Sequence, residues 1–269
     1  MEFQELRVRS MMRTLLICHE EETLNSVVLP RWLASFSTLV GIVVLRETAQ
    51  QKKRRMQREL KRVGWLRFLD VLAFRIYYAL FLARADRRWE DGIVNQLSRR
   101  YPSLPDSVQR LVSHSANSSQ VQEFIRSRKP DLVIARCKQL LKEEIFSIPA
   151  DGTFVMHPGI CPEYRNAHGC FWALANGDRE RVGMTLLRID RGVDTGPVFG
   201  YFHCNELSHS HIVIQHRTVF DNLDAIAKRL IEIHQHRALP LDVSGRKSAA
   251  WGQPWLTRYF HWKREVRTP

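Results

Sequence analysis

Two polar residues stand where short apolar runs give way to turn residues. His157 closes the run Phe154-Val155-Met156 and is followed by Pro158-Gly159. Asp194 lies in Gly192-Val193-Asp194-Thr195-Gly196-Pro197, just after the apolar run Met184 to Ile189. A histidine titrates near neutrality and can hand a proton to a developing oxyanion or alkoxide. A carboxylate beside it can raise its basicity, hold a water and accept a proton in turn. Open α/β sheets place their sites at strand carboxyl ends backed by turns. A core-edge histidine and a helix-capping aspartate would account for the same residues without chemistry, so on composition alone the two readings stand level.

Such a site needs strands that end side by side. Thr14 to Cys18 reads as a first strand, Leu24 to Phe36 as a helix, and Leu39 to Leu45 as a second, buried strand. Gln50 to Arg62 is a basic helix. Gly92 to Arg99 is helical, Arg110 to Val112 a short strand, and Ser115 to Ser119 a turn leading to a helix through Arg128 that Lys129-Pro130 ends. Leu132 to Ala135 and Thr153 to Met156 are strands flanking a short helix, Leu140 to Phe146; Val198 to His203 is another strand. Thr218 to His236 carries apolar residues at helical spacing and reads as one long helix. Strands alternating with helices predict an α/β domain with an open, mostly parallel sheet.

The chain has 269 residues and a formal net charge of +13, enough for one large domain with a short extension and a charge balance that attracts anionic partners. Cations cluster from Lys52 to Arg67, which as a charge run reads first as a solvated helix face. Trp65 to Ala83 is strongly apolar, but Arg67, Asp70 and Arg75 interrupt it and each is costly at a bilayer centre. A buried or half-buried helix is expected there; its rival is peripheral membrane contact through residues 50–83. The five cysteines, Cys18, Cys137, Cys161, Cys170 and Cys204, form no CxxC pair, and no zinc spacing links Cys161, His168 and Cys170. A disulfide framework and a metal site are therefore not expected, and a reducing, cytoplasmic setting is. Met1 to Met12 lacks the apolar core of a secretory signal and reads as a flexible leader.

The segment His157-Pro158-Gly159-Ile160-Cys161-Pro162-Glu163-Tyr164-Arg165 resembles the HPxxLPxYRG stretch of the folate-dependent formyltransferases. Trp172 to Asp178 resembles their WALxxGD, and Gly183 to Pro197 their GVTxxxxDxGxDTGP. Pro130 to Ile134 is similar to the strand preceding their folate pocket, so the resemblance runs from about Pro130 to Val198. It implies a Rossmann-like domain and formyl transfer from 10-formyltetrahydrofolate to an amine. It also implies that His157 and Asp194 are catalytic, and that the loops after Ile134 and Ile189 line the folate site. Cys137, Leu141, Thr153, Ile189, Arg191, Gly192 and Val193 are the donor-binding residues expected on this basis, and Tyr164, Arg165 and Asn166 the acceptor-binding ones.

Two positions depart from the pattern. Val155 stands where the family has its catalytic Asn, and Asn166 where it has Gly after Tyr-Arg. Period-two alternation puts Thr153, Val155 and His157 on one face, so an apolar side chain occupies a donor's place. Losing one oxyanion donor costs about 10²–10³ in rate. Asn tolerates positive φ, so the turn at Asn166 can survive. The chain after Pro197 is expected to be too short for the additional barrel of the methionyl-tRNA enzymes, and Cys18 to Glu22 offers no Gly-rich phosphate loop. These features favour a small amine, such as an amino sugar, over tRNA as acceptor. The alternatives are a folate-binding or regulatory homologue with impaired chemistry, or a methionyl-tRNA formyltransferase-like protein lacking the C-terminal barrel, and a membrane- or RNA-associated module on the same scaffold is a third reading. The expected organisation is a leader (residues 1–12), a catalytic domain (13–205) carrying a helical insertion (50–83), and a helical, aromatic extension (206–269).

Overall fold

Leu15, Leu16, Ile17 and Cys18 are all fully buried, so the first strand has apolar neighbours on both faces, as a central parallel strand requires. The computed structural model describes residues 12–265. Strand β1 (Arg13–His19) leads through a π-type turn into α1 (Leu29–Phe36), then β2 (Thr38–Leu45), α2 (Ala49–Val63) and α3 (Trp65–Tyr77). Next come α4 (Ala83–Arg100), β3 (Arg110–Ser113), α5 (Ser119–Arg128), β4 (Leu132–Arg136), α6 (Glu143–Phe146), β5 (Gly152–His157), β6 (Arg165–Asn166) and α7 (Gly169–Ala175). The chain continues with β7 (Gly183–Arg188), β8 (Val198–His203), α8 (His211–Phe220), α9 (Leu223–His234), β9 (Ala250–Trp251) and α10 (Leu256–Glu265). The main sheet has the order β3-β2-β1-β4-β5-β7-β8 and is parallel except where β7 runs against both neighbours. This is the mostly parallel α/β sheet expected.

Alternate residues of the strands feed two opposed cores. Leu16, Ile42, Ile134, Phe154 and Met156 face α1 and α9 through Trp32, Leu33, Leu223, Ile226 and Leu230. Leu15, Ile17, Val43 and Val133 face α5 through Val121 and Ile125. The Trp32 indole also donates to the Leu223 carbonyl at 3.1 Å, pinning α1 to α9.

Two expectations differ from the structure, and the helix expected over Trp65 to Ala83 is the half-buried one. The single helix predicted over Thr218–His236 is two helices, because the Asn222 amide donates to the carbonyls of Thr218 and His203, both at 3.0 Å, and ties the break to the end of β8. The helix predicted from Leu140 begins at Glu143, since Asn117 binds both the Leu140 carbonyl and the Lys142 N–H and holds that backbone as a loop. The stretch from Trp65 to Ala83 is helical but two-sided: Phe68, Val71 and Phe74 are buried, whereas Trp65, Leu66, Leu69, Leu72, Ile76, Leu80 and Phe81 are exposed. Burial of one stripe suffices to hold a helix, and the pattern of apolar residues continues past the part that is covered. No helix among the described residues is long and apolar enough to cross a membrane.

The leader lies outside the described residues except for Met12, which is fully buried. Beyond residue 205, α8 and α9 complete the first core, and α10 enters a separate aromatic cluster. There Tyr259 and Trp262 meet Phe74, Phe171 and Trp172. Trp262 is 1% exposed. Trp262→Ala is expected to lower stability by about 3–5 kcal/mol with an unchanged denaturant slope in urea unfolding; a loss under about 0.5 kcal/mol, as for an ordinary surface site, would contradict an integral α10.

Candidate active site at the carboxyl edge of the sheet

His157 is the last residue of β5 and Asp194 lies in the loop between β7 and β8. Because β7 pairs with β5 in the antiparallel sense, with His157 opposite Thr185, the loop leaving β7 at Arg188 must travel back to reach the carboxyl end of β5. The turn Asp190 to Pro197 makes that return. The Asp190 carboxylate accepts from the Gly192 N–H at 2.9 Å and the Thr195 hydroxyl at 2.7 Å, closing the turn on itself. A Cβ on Gly196 would overlap the Arg188 carbonyl, so the close packing of the loop against β7 requires glycine. Asp194 itself adopts the left-handed region at φ 51°, a conformation Asp tolerates better than most residues.

The His157 ring is 4% exposed, with Nδ1 at 3.4 Å from Asp194 Oδ2 and Nε2 at 2.8 Å from the Tyr164 carbonyl. Asp194 Oδ2 also accepts from the Asn166 N–H at 2.8 Å. The turn after His157 brings the Tyr164 carbonyl back over the ring, and Gly159 lets it pass, since a Cβ there would press on both His157 Nε2 and that carbonyl. A carbonyl can only accept, so Nε2 carries a hydrogen. A neutral ring then leaves Nδ1 as an acceptor facing a carboxylate; the imidazolium satisfies both sides.

Val155 is half-buried on the His157 side of β5, packed against the cluster of Cys161, Leu187 and Val198, while Phe154 and Met156 belong to the opposite core. The side chain of Asn166, at φ 75°, donates its amide to the Trp251 carbonyl, so that amide is committed to the β6–β9 ribbon. Arg165 donates to the Val193 carbonyl at 2.9 Å, a second tie between the two loops. Tyr164 is buried, its hydroxyl donating to Asp178 at 3.0 Å and its ring stacked on Trp251; burial pushes its pKa up to about 12. Tyr164, Arg165 and Asn166 thus shape the site loop through internal contacts.

Cys137, Leu141 and Ile189 converge in one apolar cluster beside α6. Thr153 donates to the Phe146 carbonyl at 3.0 Å, and burial pushes the Cys137 thiol up to about 12. Arg191 forms an exposed ion pair with Glu143 at 2.8 Å, bridging the two loops, while Gly192 is exposed and Val193 half-buried. The loops after β4 and β7 are therefore brought together, as the sequence reading required.

A second set of polar residues went unread in the sequence. From β1 the chain steps to β2 on one side and later to β4 on the other, so the carboxyl ends of β1 and β4 flank a topological switch point. Arg136, the last residue of β4, donates to the Met156 carbonyl and to Asn25. Lys138 pairs with Glu22 at 2.8 Å, and its N–H donates to His19 Nε2 at 3.0 Å. Burial raises the Glu22 carboxyl, but the charge and hydrogen bond of Lys138 outweigh it and leave the pKa lowered. His19 is pushed down, mainly by burial. The signal available in the sequence was positional: polar residues at the exits of the two central strands.

The chain is thus an α/β, Rossmann-like domain with polar residues at the carboxyl edge of its sheet and a His–Asp pair between two loops. Solved structures sharing the fold include a sugar N-formyltransferase from Shewanella sp FDAARGOS_354 (TM-score 0.53, 14% identity, 90% of this chain and 77% of that one). A glycinamide ribonucleotide transformylase 1 from Symbiobacterium toebii also shares it (TM-score 0.54, 15% identity, 88% of this chain and 93% of that one). Residues 84–210, which hold both His157 and Asp194, match the formyl transferase family model. The match begins well before the motif-bearing stretch. A methionyl-tRNA formyltransferase from Thermotoga sp. (strain RQ2) is 33% identical over 126 residues, covering 46% of this chain and 36% of the relative. The chain thus matches about a third of the length of such curated relatives.

With ¹⁵N labelling, the neutral His157 ring is expected as the Nε2–H tautomer in long-range proton–nitrogen spectra. An Nδ1–H tautomer would contradict the contact with the Tyr164 carbonyl.

Proposed function

We propose that this chain transfers a formyl group from 10-formyltetrahydrofolate to the amino group of a small molecule, such as an amino sugar. The observation that carries the reading is the His157–Asp194 pair, enclosed by two loops within the family-matched region. In such a transfer the amine bonds to the formyl carbon, the carbonyl oxygen carries negative charge in passing, the bond to the folate nitrogen breaks, and that nitrogen takes a proton. In its protonated form His157 directs an Nδ1 proton at Asp194 Oδ2, 3.4 Å away. From there it can neutralise the oxyanion or reach the leaving nitrogen, and Asp194 can take up the proton the amine sheds. The cluster of Cys137, Leu141 and Ile189, with Thr153 and the loop Arg191 to Val193, is the side on which we place the donor. Arg165 and Asn166, at the rim of the same loops, border the acceptor, and Tyr164 fixes their backbone. A reducing, cytoplasmic setting suits the five free cysteines.

A second reading has its own observation. Val155 shares the His157 face and offers no donor, and the Asn166 amide is spent on Trp251. A folate-binding homologue with impaired transfer fits those facts.

Tetrahydrofolate release separates the readings, with amino sugars, glycinamide ribonucleotide and methionyl-tRNA offered as acceptors. Turnover is expected with a small amine, with His157→Ala and Asp194→Ala each lowering it about 10²–10⁴-fold. Val155→Asn is expected to raise it, by up to about 10²–10³-fold. Release with methionyl-tRNA alone would move the acceptor to tRNA. No release with any acceptor, despite retained folate binding, with turnover appearing only in Val155→Asn, would establish the impaired homologue.

A further inference from the structure

Helix α3 carries two apolar stripes where a helix on a water-facing surface carries one. The inner stripe is fixed: Phe74 packs on Phe171, His211 and Tyr259 with ring centroids at 5.8, 5.3 and 5.3 Å. Two of the three charged residues that interrupt the segment have partners in the protein, while Arg75 is exposed. Arg67 lies over the Trp255 ring at 3.7 Å, and Asp70 accepts from Thr257. The outer stripe repeats at helical spacing through Trp65, Leu69, Leu72 and Ile76, and Leu66, Leu80 and Phe81 widen it. Leu66 is 84% exposed, Leu80 71%, Phe81 67% and Trp65 64%. A contiguous set of large apolar side chains held outward by a packed helix marks an interaction surface.

The neighbouring helix says what kind. Helix α2 has no buried residue and joins α3 at Gly64, whose φ of 79° turns the chain sharply between them. Its N-terminus is fixed by a reciprocal cap between Thr48 and Gln51, so the helix is defined without burying a face. Three of its cations are engaged: Lys52 with Glu21, Arg55 with Glu47 and Arg62 with Glu59. Lys53, Arg54, Arg58 and Lys61 have no carboxylate partner among the described residues, and Arg54, Arg58 and Lys61 recur at helical spacing along one side. Unpaired cations beside an outward stripe of Trp, Leu, Ile and Phe fit an anionic lipid surface, where apolar side chains enter the acyl boundary and cations meet headgroups. A second copy fits less well, since contact would bring two chains of net charge +13 together beside these cations.

We infer that residues 49–82 form a peripheral docking face for anionic membranes, with α3 lying in the interface and α2 on the headgroups. The docking is independent of the transfer chemistry, and its test does not read activity. The full chain is sedimented with vesicles of phosphatidylcholine containing about 30% phosphatidylserine, or of phosphatidylcholine alone, at about 0.1 M salt. Binding to the anionic vesicles, weak on the neutral ones, is expected. The exposed-site variant Leu66→Ser/Phe81→Ser, with unchanged thermal unfolding, is expected to weaken partitioning about tenfold or more. Arg54→Glu/Arg58→Glu/Lys61→Glu is expected to weaken it similarly. No vesicle binding would overturn the inference, as would binding unaffected by the Leu66/Phe81 variant and abolished near about 0.5 M salt, the behaviour of simple charge attraction. A dimer in sedimentation velocity that the Leu66/Phe81 variant dissolves would assign the stripe to a second copy instead.

Discussion

The Asp194 carboxylate holds the site together. One oxygen accepts the Asn166 N–H and lies against His157, so a single acceptor joins the loop after β5 to the loop after β7. Arg165 repeats the tie by donating to Val193. Both contacts depend on β7 running antiparallel to β5, which sends the chain away from the site edge and forces the compact return through Asp190 to Pro197. Remove the left-handed turn at Asp194 or the small residue at Gly196, and the carboxylate no longer reaches the ring.

The enclosure of His157 has a chemical meaning. A ring caught between a backbone carbonyl and a carboxylate has little rotational freedom and a defined donor side. Val155 presents an apolar side chain on the same face of β5, so the polar groups around the ring are the Tyr164 carbonyl and the Asp194 carboxylate.

Much of this was legible in the sequence because strands β1, β2, β4, β5, β7 and β8 are short apolar runs between turn residues, and buried strands have little choice of state. Thr153, Val155 and His157 could be assigned to one face by alternation alone, and Asp194 to the turn after the apolar run Met184 to Ile189. Arg136 and Lys138 could not, since nothing local to a strand end says that β1 and β4 become neighbours. The break at Asn222 was hidden because it rests on a contact with His203 in another element. The outward stripe of α3 was hidden for a related reason: the sequence shows apolar residues on more than one side of the helix, and only its neighbours reveal which side is left uncovered.

The free thiols carry a practical corollary. Cys18, Cys161 and Cys170 are buried and Cys137 is half-buried, and desolvation pushes each thiol up to about 12. Cys204 is buried and shifted the same way. Thiolate is the reactive species, so these shifts are expected to slow alkylation of the native cysteines in the folded chain at neutral pH. The molecule thereby supplies its own low background: a cysteine introduced on the surface can carry a fluorophore or spin label without stripping out the native ones, and faster labelling of the unaltered chain would report on its opening.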